Sequence, residues 1–319
     1  MVSKRDINAK KELKMLTQNY IGNKTEEPFL QTGSCIACSG KLSFLGMNAG
    51  YEYKTCNNCL TVQINPIPSA RDIELAYTQS QFATHIHGQG DPSAIRLSSR
   101  PYYESIANAL SDHNVSGLVI DYGAGWGGLC ELLIERSIKC KGIELAQNMV
   151  DECRKQNLPV VQQSLQSLIE EGHKAQAVTL CGVFEHLANP KAFLQNVYEL
   201  LEDGGILVSL QPTATFALLL ASVSRMGQKS RTLPMLFWIF DAPWHIALYS
   251  IEGMKLLAQD CGFDLVEIRF SPQGRVKGFY GIAQRCLELV NKIGWDLFKN
   301  DWPLLISHTY VFRKHLKFP

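Results

Sequence analysis

A chain of 319 residues with 46% hydrophobic content can bury a large core and leaves room for about two domains. Its formal net charge of +1 disfavours a nucleic-acid partner gripped by a basic surface. The start carries Lys4, Arg5, Lys10, Lys11 and Lys14 with Asp6 and Glu12 among them. It lacks the apolar core of a signal peptide. Residues 1–29 are therefore expected to form a solvated helical arm, and a cytoplasmic location is expected.

The next feature is Cys35-x-x-Cys38 followed, after seventeen residues, by Cys56-x-x-Cys59. That spacing suits a four-thiolate zinc ribbon over residues 30–66. Each Cys-x-x-Cys turn aims two sulfurs at one ion, and two turns complete a tetrahedron. Four protein ligands leave no open position, so the expected Zn2+ is structural. Rubredoxin-like iron uses the same ligands, and two disulfides are the other alternative. The remaining cysteines, Cys130, Cys140, Cys153, Cys181, Cys261 and Cys286, lie mostly in apolar segments, which suits a reducing compartment. Asn65-Pro66-Ile67-Pro68 reads as a rigid exit from the ribbon. Residues 69–77 read as a helix and residues 80–93 as a polar mobile loop. The loop's His85-x-His87 pair lacks a third metal ligand at clear spacing. A helix over residues 95–110 completes a connecting segment, residues 67–115.

Residues 119–133 are the most informative stretch. A buried strand ends on Asp121. A glycine turn follows (Gly123, Gly125, Gly127, Gly128), then a helix with Leu129, Leu132 and Leu133 on one face. Glycines there permit positive φ and let a ligand approach the backbone, while exposed amides at the helix start favour a polar group. Residues 141–144 read as a second strand ending on Glu144, whose carboxylate can accept both hydroxyls of a ribose. A helix over 145–156 and a short strand at 160–162 follow, and then Ser164 and Leu165. Residues 177–181 are a fourth strand. Asn189-Pro190 opens a helix that keeps Phe193, Val197, Leu200 and Leu201 on one face. Gly204-Gly205 is expected to end that helix, and residues 206–210 to form a fifth strand. Residues 265–270 and 307–313 are the sixth and seventh.

Gly123-x-Gly125-x-x-Gly128 with Glu144 also satisfies a dinucleotide fingerprint, so a dehydrogenase is one alternative. The fuller string Asp121-x-Gly123-x-Gly125-x-Gly127 resembles the first motif of class I S-adenosylmethionine (SAM) methyltransferases. With Glu185-His186-Leu187, Asn189-Pro190 and the segment Leu200-Leu201-Glu202-Asp203-Gly204-Gly205-Ile206-Leu207, it resembles the ubiquinone-biosynthesis O-methyltransferase type over roughly residues 95–315. The resemblance implies an α/β fold: a Rossmann-like seven-stranded class I methyltransferase sheet over residues 116–319, its last strand antiparallel. It implies SAM held by Asp121, Gly123, Ala124, Gly125, Gly127, Glu144, Leu145, Ser164, Leu165, Gly182 and Glu185. It also implies that one of Arg100, Tyr102 and Tyr103 reaches the SAM carboxylate. Ribbon, Asn-Pro-x-Pro-Ser and methyltransferase together resemble a bacterial group often found in biosynthesis of surface sugars, lipids or secondary metabolites.

The connection over residues 211–249 is unusually long. Its two apolar runs, 215–221 and 233–240, are far shorter than the ~20 residues that span a bilayer. They read as two cap helices over the active site, in an insertion covering 213–246. A dimer face or a membrane-surface patch suited to a lipid-like substrate are the alternatives. His245, just before a helix capped by Ser250, is the first candidate for base or substrate anchor, and His186 the second, with Glu185 orienting it. No Asn/Asp-Pro-Pro-Tyr/Phe string follows the fourth strand, which weakens an adenine-N6 or protein-glutamine methylase. No carboxylate–histidine cluster is visible in the Rossmann half, which disfavours a magnesium-dependent catechol reaction. The expected activity is methyl transfer to a small or lipid-like metabolite, at oxygen. An RNA methyltransferase with a zinc ribbon, resembling large-subunit ribosomal guanine methylases, and a non-catalytic SAM-binding scaffold are the alternatives.

Overall fold

The computed structural model describes residues 33–48, 50–69, 91–225, 233, 239–275 and 278–316. The N-terminal arm, the helix expected after Ser69, the His85/His87 pair and most of the second cap run lie outside these residues. Three antiparallel strands come first: β1 (Leu42–Asn48), β2 (Tyr51–Cys56) and β3 (Val62–Asn65). Helix α1 (Pro92–Asp112) starts where the Asp91 carboxylate accepts the Ser93 amide at 3.1 Å, with proline in its first turn. Strand and helix then alternate through β4 (Val119–Tyr122), α2 (Gly128–Glu135), β5 (Cys140–Ile143), α3 (Gln147–Lys155), β6 (Val160–Val161), α4 (Leu165–Glu170), β7 (Ala175–Cys181) and α5 (Pro190–Leu200). The chain continues with β8 (Leu201–Pro212), α6 (Ala214–Arg225), β9 (Ala247–Leu248), α7 (Ile251–Asp260), β10 (Phe263–Phe270), α8 (Phe279–Phe298) and β11 (Ser307–Lys314).

Seven strands form one sheet in the order β10-β11-β8-β7-β4-β5-β6. All pairings are parallel except those of β11, which is antiparallel to both neighbours. This is the expected class I methyltransferase sheet. The strands β4 and β7 are adjacent, yet the chain runs from β4 outward to β5 and β6 before returning. The order reverses there, and ligands in open α/β sheets bind outside the carboxyl ends of strands at such a point.

One boundary differs from expectation. Helix α5 stops at Leu200, and Leu201 already pairs with Ala175 in the sheet. The register then shifts, and pairing resumes at Ala177 with Ile206. Gly204, at φ +73°, turns the intervening loop. The two glycines thus make a bulge inside a long strand and do not terminate the helix. Leu200 and Leu201 are both fully buried, so the apolar pair passes directly from helix face to sheet. Two helices were not read from the sequence: the short α4, and the long α8 between β10 and β11.

The small N-terminal sheet is joined to the rest of the fold. Its fourth strand is β9, just after the expected cap insertion, with Val62 opposite Leu248 and Gln63 opposite Ala247. Leu45, Tyr53, Val62 and Ile64 share a core with Ala217, Phe240 and Ile246 of the insertion, and Tyr53 meets Phe240 edge-on at 5.1 Å. On the other side Cys35, Cys56 and Cys59 pack with Tyr249, Met254 and Leu257. Ser250 caps α7 by accepting the Gly253 amide at 2.9 Å, and its hydroxyl also donates to the Cys59 carbonyl. The helix start presses so closely that a Cβ on Gly253 would lie 2.1 Å from the Thr61 hydroxyl and 3.3 Å from the Cys59 sulfur. Thr61 is fully buried and cannot move aside. Gly253→Ala should therefore destabilise the protein by about 1–3 kcal/mol through overpacking. An unchanged denaturation midpoint would show that the two units do not touch this tightly.

Candidate functional site

The carboxyl ends of β4, β5, β7 and β8 open into one cavity of about 750 Å³. That volume lies within the range of small-molecule sites. Asp121 enters from β4 and is buried, with the Thr179 hydroxyl donating to it at 2.8 Å. Burial pushes its carboxyl up to about 7, against the Thr179 bond and with some repulsion from Glu144. A cationic ligand would favour its ionised form. Gly123, at φ +72°, sits against Val183, where a Cβ would come within 2.6 Å of a methyl group. Gly125, at φ +54°, has nothing within 4 Å of its Cβ position. The turn therefore leaves bare backbone facing the cavity.

Glu144 follows β5 directly. One oxygen accepts the Gly125 amide at 2.9 Å, and the other accepts the Leu145 and Ala146 amides at 2.7 and 2.9 Å. The carboxylate thus ties the glycine turn to the start of α3 and holds a fixed position at the cavity wall. Asp121, Gly123, Ala124, Gly125, Glu144, Leu145, Ser164, Gly182, Glu185, His186 and His245 all line the cavity. Gly127 and Leu165 do not. Gly127, at φ +78°, ends the turn as the N-cap of α2 and faces Leu158 and Cys153. Leu165 is buried in the core beneath α4, while Ser164 caps that helix by accepting the Ser167 amide. Arg100 turns outward to Glu104 and Glu135, whereas Tyr102 and Tyr103 do line the cavity. Gln211, Asp241 and Trp126 also line it and were missed. Gln211 closes β8, so the rule that ligands gather at carboxyl ends of strands could have found it.

Another stretch of the cavity wall brings together Glu185, His186 and His245. Glu185 and His186 lie in a single 3-10 turn over Phe184–His186, and His245 comes from the end of the cap insertion. The two imidazoles lie 5.0 Å apart, centre to centre. His186 Nδ1 meets the Trp244 carbonyl at 2.8 Å, and His245 Nδ1 meets the Ile239 carbonyl at 3.1 Å. The Ile246 amide donates to the Glu185 carbonyl, which sews the loop to the turn. Burial, helped by His245, lowers His186 to about 3, so it is neutral near pH 7. Burial raises Glu185 to about 8. The sequence showed no carboxylate–histidine cluster; the fold supplies one by returning the chain to this wall after fifty-odd residues. Among the described residues lining the cavity, four are carboxylates (Asp121, Glu144, Glu185 and Asp241) and none is lysine or arginine.

The four ribbon cysteines also converge. Cys35 and Cys59 sulfurs are 3.7 Å apart, Cys38 and Cys56 sulfurs 3.5 Å, and all four fall within 4.8 Å of one another. Two thiolates ~2.3 Å from one tetrahedral zinc would lie about 3.8 Å apart. Amides of Ala37, Asn58 and Cys59 point at Cys35 or Cys56 sulfur at 3.4–3.5 Å. The crowded sulfurs cannot all ionise alone: Cys59 falls to about 4 while Cys35 is pushed far above the ordinary thiol range. No pair is close enough for a disulfide, and all ten cysteines are free. The residues present suit a single thiophilic ion.

A family profile described as a methyltransferase domain matches residues 96–268, more than half of the chain. The chain belongs to this methyltransferase family, and with the class I sheet and this cavity it is an enzyme that uses SAM. No curated protein matches it. Among solved structures, a SAM-dependent methyltransferase from Archaeoglobus fulgidus is similar at 17% identity, covering 74% of this chain and 99% of that one, with a TM-score of 0.46. Magnesium protoporphyrin IX methyltransferase from Synechocystis PCC 6803 is similar at 15% identity, covering 77% and 100%, with a TM-score of 0.48. A 1,6-didemethyltoxoflavin-N1-methyltransferase from Burkholderia thailandensis is similar at 12% identity, covering 86% and 99%, with a TM-score of 0.49. Among the described residues no helix is long and apolar enough to cross a membrane.

Proposed function

We propose that the protein transfers the methyl group of SAM to an oxygen of a small or lipid-like biosynthetic metabolite, and that its four-cysteine lobe holds a structural zinc. The observation that carries the reading is one cavity joining the Asp121–Glu144 wall to the Glu185–His186–His245 wall. SAM supplies an already activated methyl sulfonium. The chain's task is to bind it, align the acceptor and exclude water. Asp121 and Glu144 provide negative charge and fixed acceptors for a cationic, ribose-bearing cofactor. Glu144→Ala should weaken S-adenosylhomocysteine binding by ~1–3 kcal/mol through loss of charged hydrogen bonds. Equal affinity in titration calorimetry would remove that role from Glu144.

His186, His245 and the Gln211 amide face the acceptor side. Gln211 is fully buried; Ser209 donates to its oxygen at 2.7 Å, and its nitrogen lacks a partner among the described residues. That donor suits an oxygen-bearing acceptor. A cavity lined by carboxylates disfavours a phosphate-rich acceptor such as RNA. The cap insertion contributes Ile239, Asp241 and His245 to the acceptor side. The test is incubation with methyl-labelled SAM and a metabolite extract, with mass spectrometry of labelled products. Label in an uncharged or weakly acidic metabolite supports the reading. Label in RNA alone, or none while SAM binds tightly, overturns it.

A further inference from the structure

We propose that Glu185, His186 and His245 hold a divalent first-row transition cation at the acceptor end of the cavity. The inference deepens the proposed reaction and rests on it for its catalytic consequence, although cation binding is measurable without any acceptor. One ligand atom from each of the three side chains lies within 4.8 Å of the others, and Glu185 Oε1 is 3.9 Å from His186 Nε2. Ligands ~2.1 Å from one cation sit about 3 Å apart at right angles, so small side-chain rotations close the set.

Three further observations point to a cation. Glu185 is only 3% exposed, and its Oε2 has no hydrogen-bond partner among the described residues. An acidic oxygen buried in this way is costly unless something positive meets it. Both histidines present Nδ1 to backbone carbonyls, Trp244 for one and Ile239 for the other. A carbonyl on one ring nitrogen is the kind of outer-shell bond that orients metal-ligating imidazoles, and the Gly182 carbonyl also bonds the His186 ring. Finally, the Asp241 carboxylate lines the same cavity. Two imidazoles and one carboxylate with open positions suit first-row transition ions better than magnesium or calcium.

The consequence for the reaction is specific. A cation on this wall can take the acceptor's hydroxyl as a further ligand and lower its pKa. The acceptor's proton leaves to solvent through the cavity mouth. The new O–CH₃ bond forms as the S–CH₃ bond breaks, with its electron pair remaining on sulfur. Glu185, His186 and His245 then act as ligands that position the acceptor, and the cavity needs no strong base.

The experiment is a Co2+ titration of the full-length, zinc-loaded protein, followed by visible absorption and elemental analysis, with and without S-adenosylhomocysteine. One equivalent of Co2+ beyond the ribbon is expected, with weak d–d bands and no sulfur charge-transfer band. Glu185→Gln, His186→Gln and His245→Gln should each weaken that equivalent at least tenfold. His173→Gln, an exposed histidine beside Glu171, should not. S-adenosylhomocysteine affinity retained in a variant reports that it has folded. No Co2+ bound at millimolar concentration by the wild-type protein overturns the proposal, as does a second equivalent bound only through sulfur or one that survives all three folded variants. The wild-type spectrum decides even if a variant fails to fold. Co2+ bound at this wall with no oxygen methylated in any extract would leave the cation site standing and refute the proposed reaction instead.

Discussion

Protein purified without chelator should carry zinc in its cysteine lobe, and Cys56→Ser should remove that zinc and unfold the lobe. Cys56 ends β2, is fully buried, and sits 3.5 Å from the Cys38 sulfur. Zinc binding in such small units is coupled to folding and contributes about 10–16 kcal/mol in isolated peptides. Here part of the lobe's stability comes from neighbours, because β3 pairs with β9 and the knuckles pack on α7. The loss should still be several kcal/mol, enough to lower Tm by roughly 5 °C in a chain of this size. It should also reach the acceptor side, since β9 lies between His245 and the cap of α7. Elemental analysis and thermal unfolding, with and without a strong chelator, are the measurements. Metal-free protein with the same Tm as metal-loaded protein would sink the site, and iron in place of zinc would reassign the ion.

The parts of this molecule that could be read from sequence are those whose physics is local. Val119 and Ile120, the glycine turn and the leucines of α2 announce a strand, a turn and a helix within fifteen residues. Asn189 and Ser250 announce helix starts because their side chains satisfy the first free amides, at Ala192 and Gly253. The cysteine pairs announce a cluster of four sulfurs through spacing alone. What could not be read depends on contacts distant in sequence. Ala247–Leu248 is two residues long, too short for any periodicity, yet it completes the ribbon sheet. Glu185 and His186 were noted beside one another, and His245 separately, but only the fold shows that their ligand atoms share one site. Helix α8 carries an apolar pattern in its sequence, yet Phe279, Ile282, Leu289, Val290, Ile293 and Leu297 are exposed, so that pattern does not mark a buried face. Gly204-Gly205 was misread for a different reason: glycine pairs end helices and make strand bulges by the same positive φ, and only the register with β7 decides between them.

His245→Gln should lower turnover by ~10²–10⁴, the scale of removing a group that acts on the proton or the nucleophile in the transition state. It should leave S-adenosylhomocysteine affinity nearly unchanged. The reason is spatial: His245 clusters with Glu185 and His186, whereas most of the expected cofactor contacts lie at Asp121, the glycine turn and Glu144, and only Gly182 and Glu185 are on the His245 side. Neutral glutamine keeps a polar side chain of similar reach but neither accepts a proton nor binds a cation well. The pH profile separates the two ways the histidine can act. If it takes the acceptor's proton, the deficit shrinks as pH rises, because the hydroxyl ionises increasingly without help. If it holds a cation, the deficit persists at high pH, and Glu185→Gln shows the same defect. His186 alone makes a poor base, because burial lowers it to about 3 and leaves little affinity for a proton near neutrality. A rate with the true acceptor that is unaltered in His245→Gln, at any pH, would remove this wall from the chemistry and leave methyl transfer to cofactor binding and alignment alone.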